Sequence, residues 1–247
     1  MSSELTKISS GALAVPDYLK GVQGHEGLES VERADLVLPR LGICQSMTPQ
    51  RKKDNPLYIT GLEEGAMFNT VTADIYGEKV EVIPLIFSKS RIYFRDLKEG
   101  GGILCQSFNG IDGGTISPTC AACPNSHFGA KGEAPLCNVF MNFASLLTGS
   151  KQLIAASFKS SGLKAARGWV TRLQMFNKPA YTQVYEIKTI PAKNQKGDFF
   201  APVITFKRWA TEEEFKFAAA QFAAIKGQNI VVDTEHEVDD EYENRPF

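Results

Sequence analysis

Histidine, nucleotide-binding glycine motifs and long apolar runs are what this 247-residue chain has least of, and each shortage removes a class of function. The three histidines, His25, His127 and His236, stand in no G-x-S-x-G or comparable nucleophile context, so triad hydrolysis is not indicated. Gly100–Gly102 and the Thr-Gly-Ser-Lys of 148–151 both depart from G-x-x-x-x-G-K-[ST], which leaves no phosphate-cradling loop. No apolar run approaches the roughly 18 residues that a membrane helix needs. The first residues lack a basic segment followed by an apolar one, so no secretory signal is expected and the chain reads as cytoplasmic. In that compartment the five cysteines read as thiols or metal ligands rather than disulfides. With 43% hydrophobic and 10% aromatic residues the chain still has the means to bury a core, which excludes wholesale disorder.

Charge becomes informative once it is divided along the chain. Of 27 basic and 28 acidic residues, seven acids and one base fall within 233–247, leaving 26 basic and 21 acidic residues elsewhere. A body of +5 therefore stands beside a tail of −6, the pattern of an anion-binding body with an interaction tail.

Three regions follow from composition. Residues 1–35 show little periodicity and read as a flexible N-terminal arm. Residues 36–227 carry the folded domain, and 228–247 the disordered acidic tail. Within the domain, a strand is expected near 36–44 and a basic loop at 45–55. From 66 onward Val71, Ala73 and Ile75 alternate with polar residues, Gly77 turns the chain, and a second run passes through Val80 and Val82 to 88–94. Apolar character returns at 139–147 and 152–158. Over 160–176, Leu163, Ala166, Trp169, Val170, Leu173 and Phe176 share one helical arc opposite Lys164, Arg167 and Arg172, which places Trp169 and Phe176 in the core. Two β runs, 181–191 and 199–209, flank a turn at 193–198 and predict a hairpin. Thr211 with Glu214 is a capping-box pattern opening a last helix that Gly227 ends. The class is mainly β with a few helices, in antiparallel arrangement, and a small Greek-key barrel fits.

Residues 98–138 differ: they hold eight of the 21 glycines and four of the five cysteines, with little aliphatic periodicity, so the segment needs a cross-link or a metal to hold its shape. Cys105, Cys120, Cys123 and Cys137 follow C-x14-C-x2-C-x13-C. Tetrahedral Zn²⁺ takes four soft thiolates, and a C-x-x-C knuckle presents two of them from one turn; a closed four-thiolate shell makes the ion structural. Two disulfides, buried thiols, His127 in place of one thiolate, or an iron–sulfur cluster on the same ligands are the alternatives. Cys44, outside the cluster, reads as a small buried hydrophobe.

From Ala134 to Tyr185 there is no acid against six bases: Lys151, Lys159, Lys164, Arg167, Arg172 and Lys178. Bases and rings interleave at Lys89, Arg91, Tyr93 and Phe94, and again at Phe206, Lys207, Arg208 and Trp209, with Phe199 at the hairpin. Cations that track phosphates and rings that stack on unpaired bases are the mixture a single-strand surface needs. Phe108, Phe128 and Lys131 in the polar insertion join this candidate set, whereas one of Tyr93 and Phe94 must face the core by alternation. A nuclease built from Asp74, Glu81 and Asp96 is the one catalytic alternative; otherwise the chain reads as a binder rather than an enzyme.

The chain ends Glu-Val-Asp-Asp-Glu-Tyr-Glu-Asn-Arg-Pro-Phe. An acidic approach closed by an apolar tip and α-carboxylate suits a basic-rimmed apolar pocket on a partner, and its charge can also compete for the body's own cationic surface. This tail resembles the C-terminal tips of single-stranded-DNA-binding proteins of bacteria and their phages. The resemblance covers about the last fifteen residues, and Asn244-Arg245 departs from it by interrupting the acids. It implies that Pro246 and Phe247 dock replication or recombination proteins, with Asp239, Asp240, Glu241 and Glu243 as the approach. A zinc-bearing insertion in a barrel is similar to certain phage replication single-strand binders, with different ligand spacing. The implied protein is phage-encoded and acts in the host cytoplasm. It is built on an OB-like antiparallel barrel with one structural Zn²⁺, and it coats unwound DNA in replication, recombination or repair. An annealing or mediator protein, and a zinc-ribbon transcription or protein adaptor, are the alternatives; homo-oligomerisation is left open.

Overall fold

A computed structural model describes residues 38–96, 101–130, 132–194 and 197–227, together with Tyr18, Gly27 and Ser30. The expected acidic tail, and the expected arm apart from those three residues, lie outside the described residues. Three short strands, β1 (Leu41–Ile43), β2 (Met67–Asn69) and β3 (Ile75–Gly77), form a small antiparallel sheet in that order. The larger sheet contains β4 (Lys79–Phe94), β5 (Ile103–Ser107), β6 (Asn138–Leu147), β7 (Leu153–Phe158), β8 (Gln183–Asn194) and β9 (Gly197–Trp209). Its path is β7-β6-β4-β8-β9, with β5 pairing the far end of β4. Helix α1 (Leu163–Met175) connects β7 to β8, and α2 (Glu212–Ile225) follows β9. Neither helix is long and apolar enough to cross a membrane.

The protein is mainly β with two helices among the described residues, as the residue pattern predicts, but the sheets stay open where a closed barrel was expected. Strands β7 and β9 remain edges. One isolated parallel bridge, Arg40 to Ala155, reaches the β7 edge. At the β9 edge a side chain stands where a strand would be needed: Gln45 Nε2 donates to the Phe200 carbonyl at 2.9 Å and Gln45 Oε1 accepts from the Phe200 N–H at 2.8 Å. A single amide satisfies one residue of the edge and cannot extend a ladder.

Strand β4 organises the larger sheet. It pairs β6 from Val82 to Ile92, β8 from Lys79 to Val82, and β5 from Arg91 to Phe94. Pro84 has no N–H to give a ladder, and the register shifts between Pro84 and Ile86, so the proline sits in a bulge. The alternation expected through Val71 and Ala73 is not a strand. Asn69 Oδ1 accepts from the N–H groups of Val71 and Thr72 at 2.9 and 3.0 Å, and this local turn leaves Val71 exposed and Ala73 at φ 60°.

Helix α1 lies on the sheet through Ala166 and Trp169, both fully buried. The Trp169 indole stacks on Phe143 of β6 with ring centroids 4.0 Å apart, and meets Phe158 and Tyr185 at 6.3 and 5.4 Å. Phe176, predicted to share this burial, stands one residue beyond the helix and is 37% exposed.

Helix α2 opens on the predicted capping box: Thr211 Oγ1 accepts from the Glu214 N–H, and Glu214 returns the bond to the Thr211 N–H at 2.8 Å. Glu214 also grips Arg208 with both oxygens, at 2.7 and 2.8 Å. The Arg208 guanidinium, more than the cap, holds the Glu214 carboxyl down at about 2. A depressed carboxyl stabilises the fold fully above its ordinary pKa, and the contribution fades as pH falls toward 2. With the Arg208 side chain 40% exposed, solvent screens the pair. Glu214→Ala is therefore expected to cost about 1–2 kcal/mol at pH 7. Urea unfolding should show that gap narrowing below pH 4.

Candidate nucleic-acid face and cysteine cluster

Alternation along β4 sends Phe87, Lys89, Arg91 and Tyr93 to one face of the sheet. Register fixes which face it is, since Phe87 stands opposite Phe143 and Lys89 opposite Met141, in the core that α1 covers. Phe87 touches Phe143 at 5.1 Å between centroids and is 40% exposed. The same face carries a second group of rings where α1 meets β9. Phe176 packs on Phe206 at 5.0 Å and on Trp209 at 5.2 Å, and Trp209 remains 48% exposed. Arg172 reaches across from α1 to donate to the Ile204 carbonyl, which leaves its charge uncompensated by an acid among the described residues.

The exposed side of α1 and the turn after it supply further cations. Lys164, Arg167 and Lys178 are exposed, with no acidic partner among the described residues. The three glutamates after Trp209 are each occupied elsewhere: Glu212 by Lys216, Glu213 by Lys151 and Glu214 by Arg208. Arg172 and the exposed rings thus gather where α1 ends against β9, with Lys164 and Arg167 on the outer side of the helix.

Not every predicted contact residue joins this group. Arg208 is spent on Glu214, with Glu81 at 3.8 Å, and Lys207 is paired with Glu186 at 3.2 Å. Phe199 is half-buried on β9 opposite Ala192, and Lys159, also half-buried, precedes the short turn before α1. Tyr93 is half-buried across from Cys105, whereas Phe94 is core, as alternation required of one of the pair. Phe108 and Phe128 are exposed on the insertion, Phe128 at 73%. Lys131 and the tip residues Asp239, Asp240, Glu241, Glu243, Pro246 and Phe247 lie outside the described residues. Phe87 and Phe176 belong to the face although neither was predicted to. Residue spacing marked Phe176 as core, and Phe87 sits in an apolar run that gives no hint of its exposure.

Asp74, Glu81 and Asp96 do not converge. Asp74 accepts from Thr72 in the turn before β3, while Glu81 lies near the start of β4 and Asp96 two residues past its end. At ~3.3 Å per residue that strand separates them by roughly 40 Å.

The insertion folds over the end of β4 and β5. Cys105 lies on β5, and Cys120 and Cys123 flank a turn in which the Cys123 N–H points to the Cys120 carbonyl at 3.4 Å. Ser126 Oγ donates within 2.5 and 2.9 Å of the Cys120 and Cys123 carbonyls, and the Cys137 N–H donates to Asn125 at 2.9 Å, which closes the loop on the knuckle. The chain also approaches itself too closely for side chains: a Cβ on Gly114 would stand 2.8 Å from Cys105 Sγ, and one on Gly113 would collide with the Ser117 carbonyl.

All four cysteines are free thiols, and all line one small cavity together with Arg91, Ser107 and Ser126. Burial pushes the Cys137 thiol up to about 11; Arg91 opposes this, and Cys120, Cys105 and Cys123 add to it. Among the described residues no three His, Cys, Asp or Glu side chains stand in metal-holding geometry as they are. The donor set itself, four thiols around one cavity, suits a soft or borderline divalent ion. His127 does not line the cavity, and its Nε2 is 2.7 Å from the Ala121 carbonyl. Cys44 is fully buried among Ile59, Leu62 and Phe68, as predicted.

One protein-family model matches residues 8–231, that of the Pam3 phage gp34-like protein. No curated protein and no solved structure matches the chain.

Proposed function

The chain belongs to that phage family, and within it we propose a non-enzymatic protein that binds single-stranded DNA without sequence preference. The observation that carries the proposal is the pair of exposed rings (Trp209, Phe176) where α1 ends against β9, with Arg172 of α1 reaching the same strand and the acid-free cations Lys164, Arg167 and Lys178 exposed on and just after the helix. The cations follow a phosphate chain, and each stacked base adds about 1–3 kcal/mol whatever its identity. An unpaired strand can offer its base faces to Trp209 and Phe176; a duplex keeps them stacked inside, so single strands are preferred. Lys89 and Phe87 extend the face toward the insertion, where Phe108 is also exposed.

Such a protein covers unwound DNA in phage replication, recombination or repair. Its acidic tail, with seven acids in 233–247, supplies both a competitor for the cationic face and a docking tip for other proteins at Pro246-Phe247. The cysteine insertion is held by one structural Zn²⁺ on Cys105, Cys120, Cys123 and Cys137, a reading supported by their shared cavity.

The test is titration of fluorescent oligo-dT, single- and double-stranded, with the full chain and with a chain ending at residue 232. The expected results are single-strand preference, loss of affinity with salt, and tighter binding without the tail. A full chain and a tail-less chain both indifferent to oligo-dT would contradict the proposal, and Mg²⁺-dependent loss of the labelled strand would indicate a nuclease instead.

A further inference from the structure

Sequence pattern groups Arg91 with the bases that would meet DNA, but its side chain goes elsewhere. Arg91 sits on β4 opposite Ser107 of β5, two pairs along from Tyr93 opposite Cys105, so Cys105 is its diagonal neighbour on the same face. It lines the cavity shared by the four cysteines. Its Nη1 donates to the Ser126 carbonyl at 3.2 Å, and Ser126 is the residue whose hydroxyl ties the Cys120 and Cys123 carbonyls together. Its Nε is buried without a hydrogen-bond partner. A buried guanidinium N–H left unpaired is costly, and no carboxylate is paired with this one among the described residues.

We propose that Arg91 is a positioning residue of the metal site, its charge and free Nε–H directed at the thiolate sulfurs rather than at a nucleic acid. This rests on the Zn²⁺ reading of the four cysteines. Four thiolates around a divalent ion carry a net double negative charge, which a partly dry pocket tolerates poorly. A guanidinium in the wall offsets part of that charge, and an N–H···S bond withdraws density from a thiolate and fixes its orientation. The bond from Arg91 to Ser126 also couples the knuckle to β4, so the ion, the knuckle and the sheet are held as one unit.

The experiment loads the full chain with Co²⁺ and titrates it against a chelating competitor, for wild type, Arg91→Lys and Arg91→Met. Binding of oligo-dT at saturating metal is measured alongside. The expected loss of metal affinity is about 10–100-fold for Arg91→Met, with partial recovery in Arg91→Lys, which keeps the charge but not the planar donor. The sulfur-to-cobalt charge-transfer band should shift in both variants, because donation to sulfur is changed in both. Oligo-dT affinity should stay within about twofold once metal saturates, since the phosphate-facing cations are untouched. Wild-type affinity and an unshifted band in both variants would overturn the role of Arg91 while leaving the metal reading intact. A wild-type chain that yields no four-thiolate cobalt spectrum would overturn the metal reading itself. Should Arg91→Met lose its fold by circular dichroism, the Arg91→Lys band and affinity decide.

Discussion

Replacing Lys164, Arg167 and Lys178 together with alanine is expected to weaken single-strand binding roughly 50-fold near 0.15 M salt. Each phosphate contact on a single strand contributes about 0.7 to the slope of log affinity against log salt, so three lost contacts flatten that slope by about 2. The weakening at any one salt concentration follows from the same quantity. These three side chains suit the purpose because they are exposed and have no acidic partner among the described residues, so their removal breaks no ion pair there. Lys207→Ala is the control for a cation that is already paired. That ammonium already faces Glu186 at 3.2 Å, so it should leave the slope nearly unchanged. A slope change in Lys207→Ala of about one third of that in the triple variant would mean that net charge, rather than the exposed cations, determines binding.

Trp169→Ala is expected to cost about 3–5 kcal/mol of folding stability, the largest single-residue effect in the domain. Trp169 is fully buried where three elements meet: Phe143 of β6 stacks on it, Phe158 of β7 and Tyr185 of β8 close its sides. Truncation leaves a cavity that rigid sheet residues on these strands cannot fill. Its indole N–H has no hydrogen-bond partner, so the loss is one of packing, and Trp169→Phe should be far milder. Urea unfolding of the two variants measures this directly. Because α1 is carried on Trp169, the alanine variant should also lose oligo-dT affinity through displacement of the helix, whereas the phenylalanine variant should retain it.

The two tryptophans show how much the sequence discloses. Helical spacing put Trp169 inside correctly, because a 3.6-residue period reports which side of a helix faces a sheet. The same spacing misplaced Phe176, since α1 ends at Met175 and the period no longer applies beyond it. The Thr211–Glu214 cap was legible because a capping box is a local motif. The Val71–Ala73 run misled because Asn69 captures two backbone N–H groups there, and a side chain competing locally overrides alternation. Sheet closure was out of reach for a related reason. Whether β9 gains a strand or only the Gln45 amide depends on contacts 155 residues apart.

The candidate face was legible as composition and not as geometry. An acid-free stretch with six bases predicted a cationic surface, and α1 displays three of them, Lys164, Arg167 and Arg172. Adjacent residues of Phe206–Trp209, however, divide between different tasks. Trp209 joins the exposed rings, while Arg208 turns to Glu214 and Lys207 to Glu186. Adjacent residues on a strand point to opposite sides, and the bulge opposite Val184 and Tyr185 shifts the pattern once more. Arg91 was separated from its neighbours in the same way, by the cysteine cavity that only the folded insertion creates.

Tryptophan fluorescence of the Trp169→Phe variant tests the central claim most directly, because Trp209 is then the sole tryptophan in the chain. Titration with unlabelled oligo-dT should quench that emission and shield the ring from a soluble quencher, both reversed by salt. Saturable oligo-dT binding that leaves Trp209 as bright and as accessible as before would contradict the proposed stacking face.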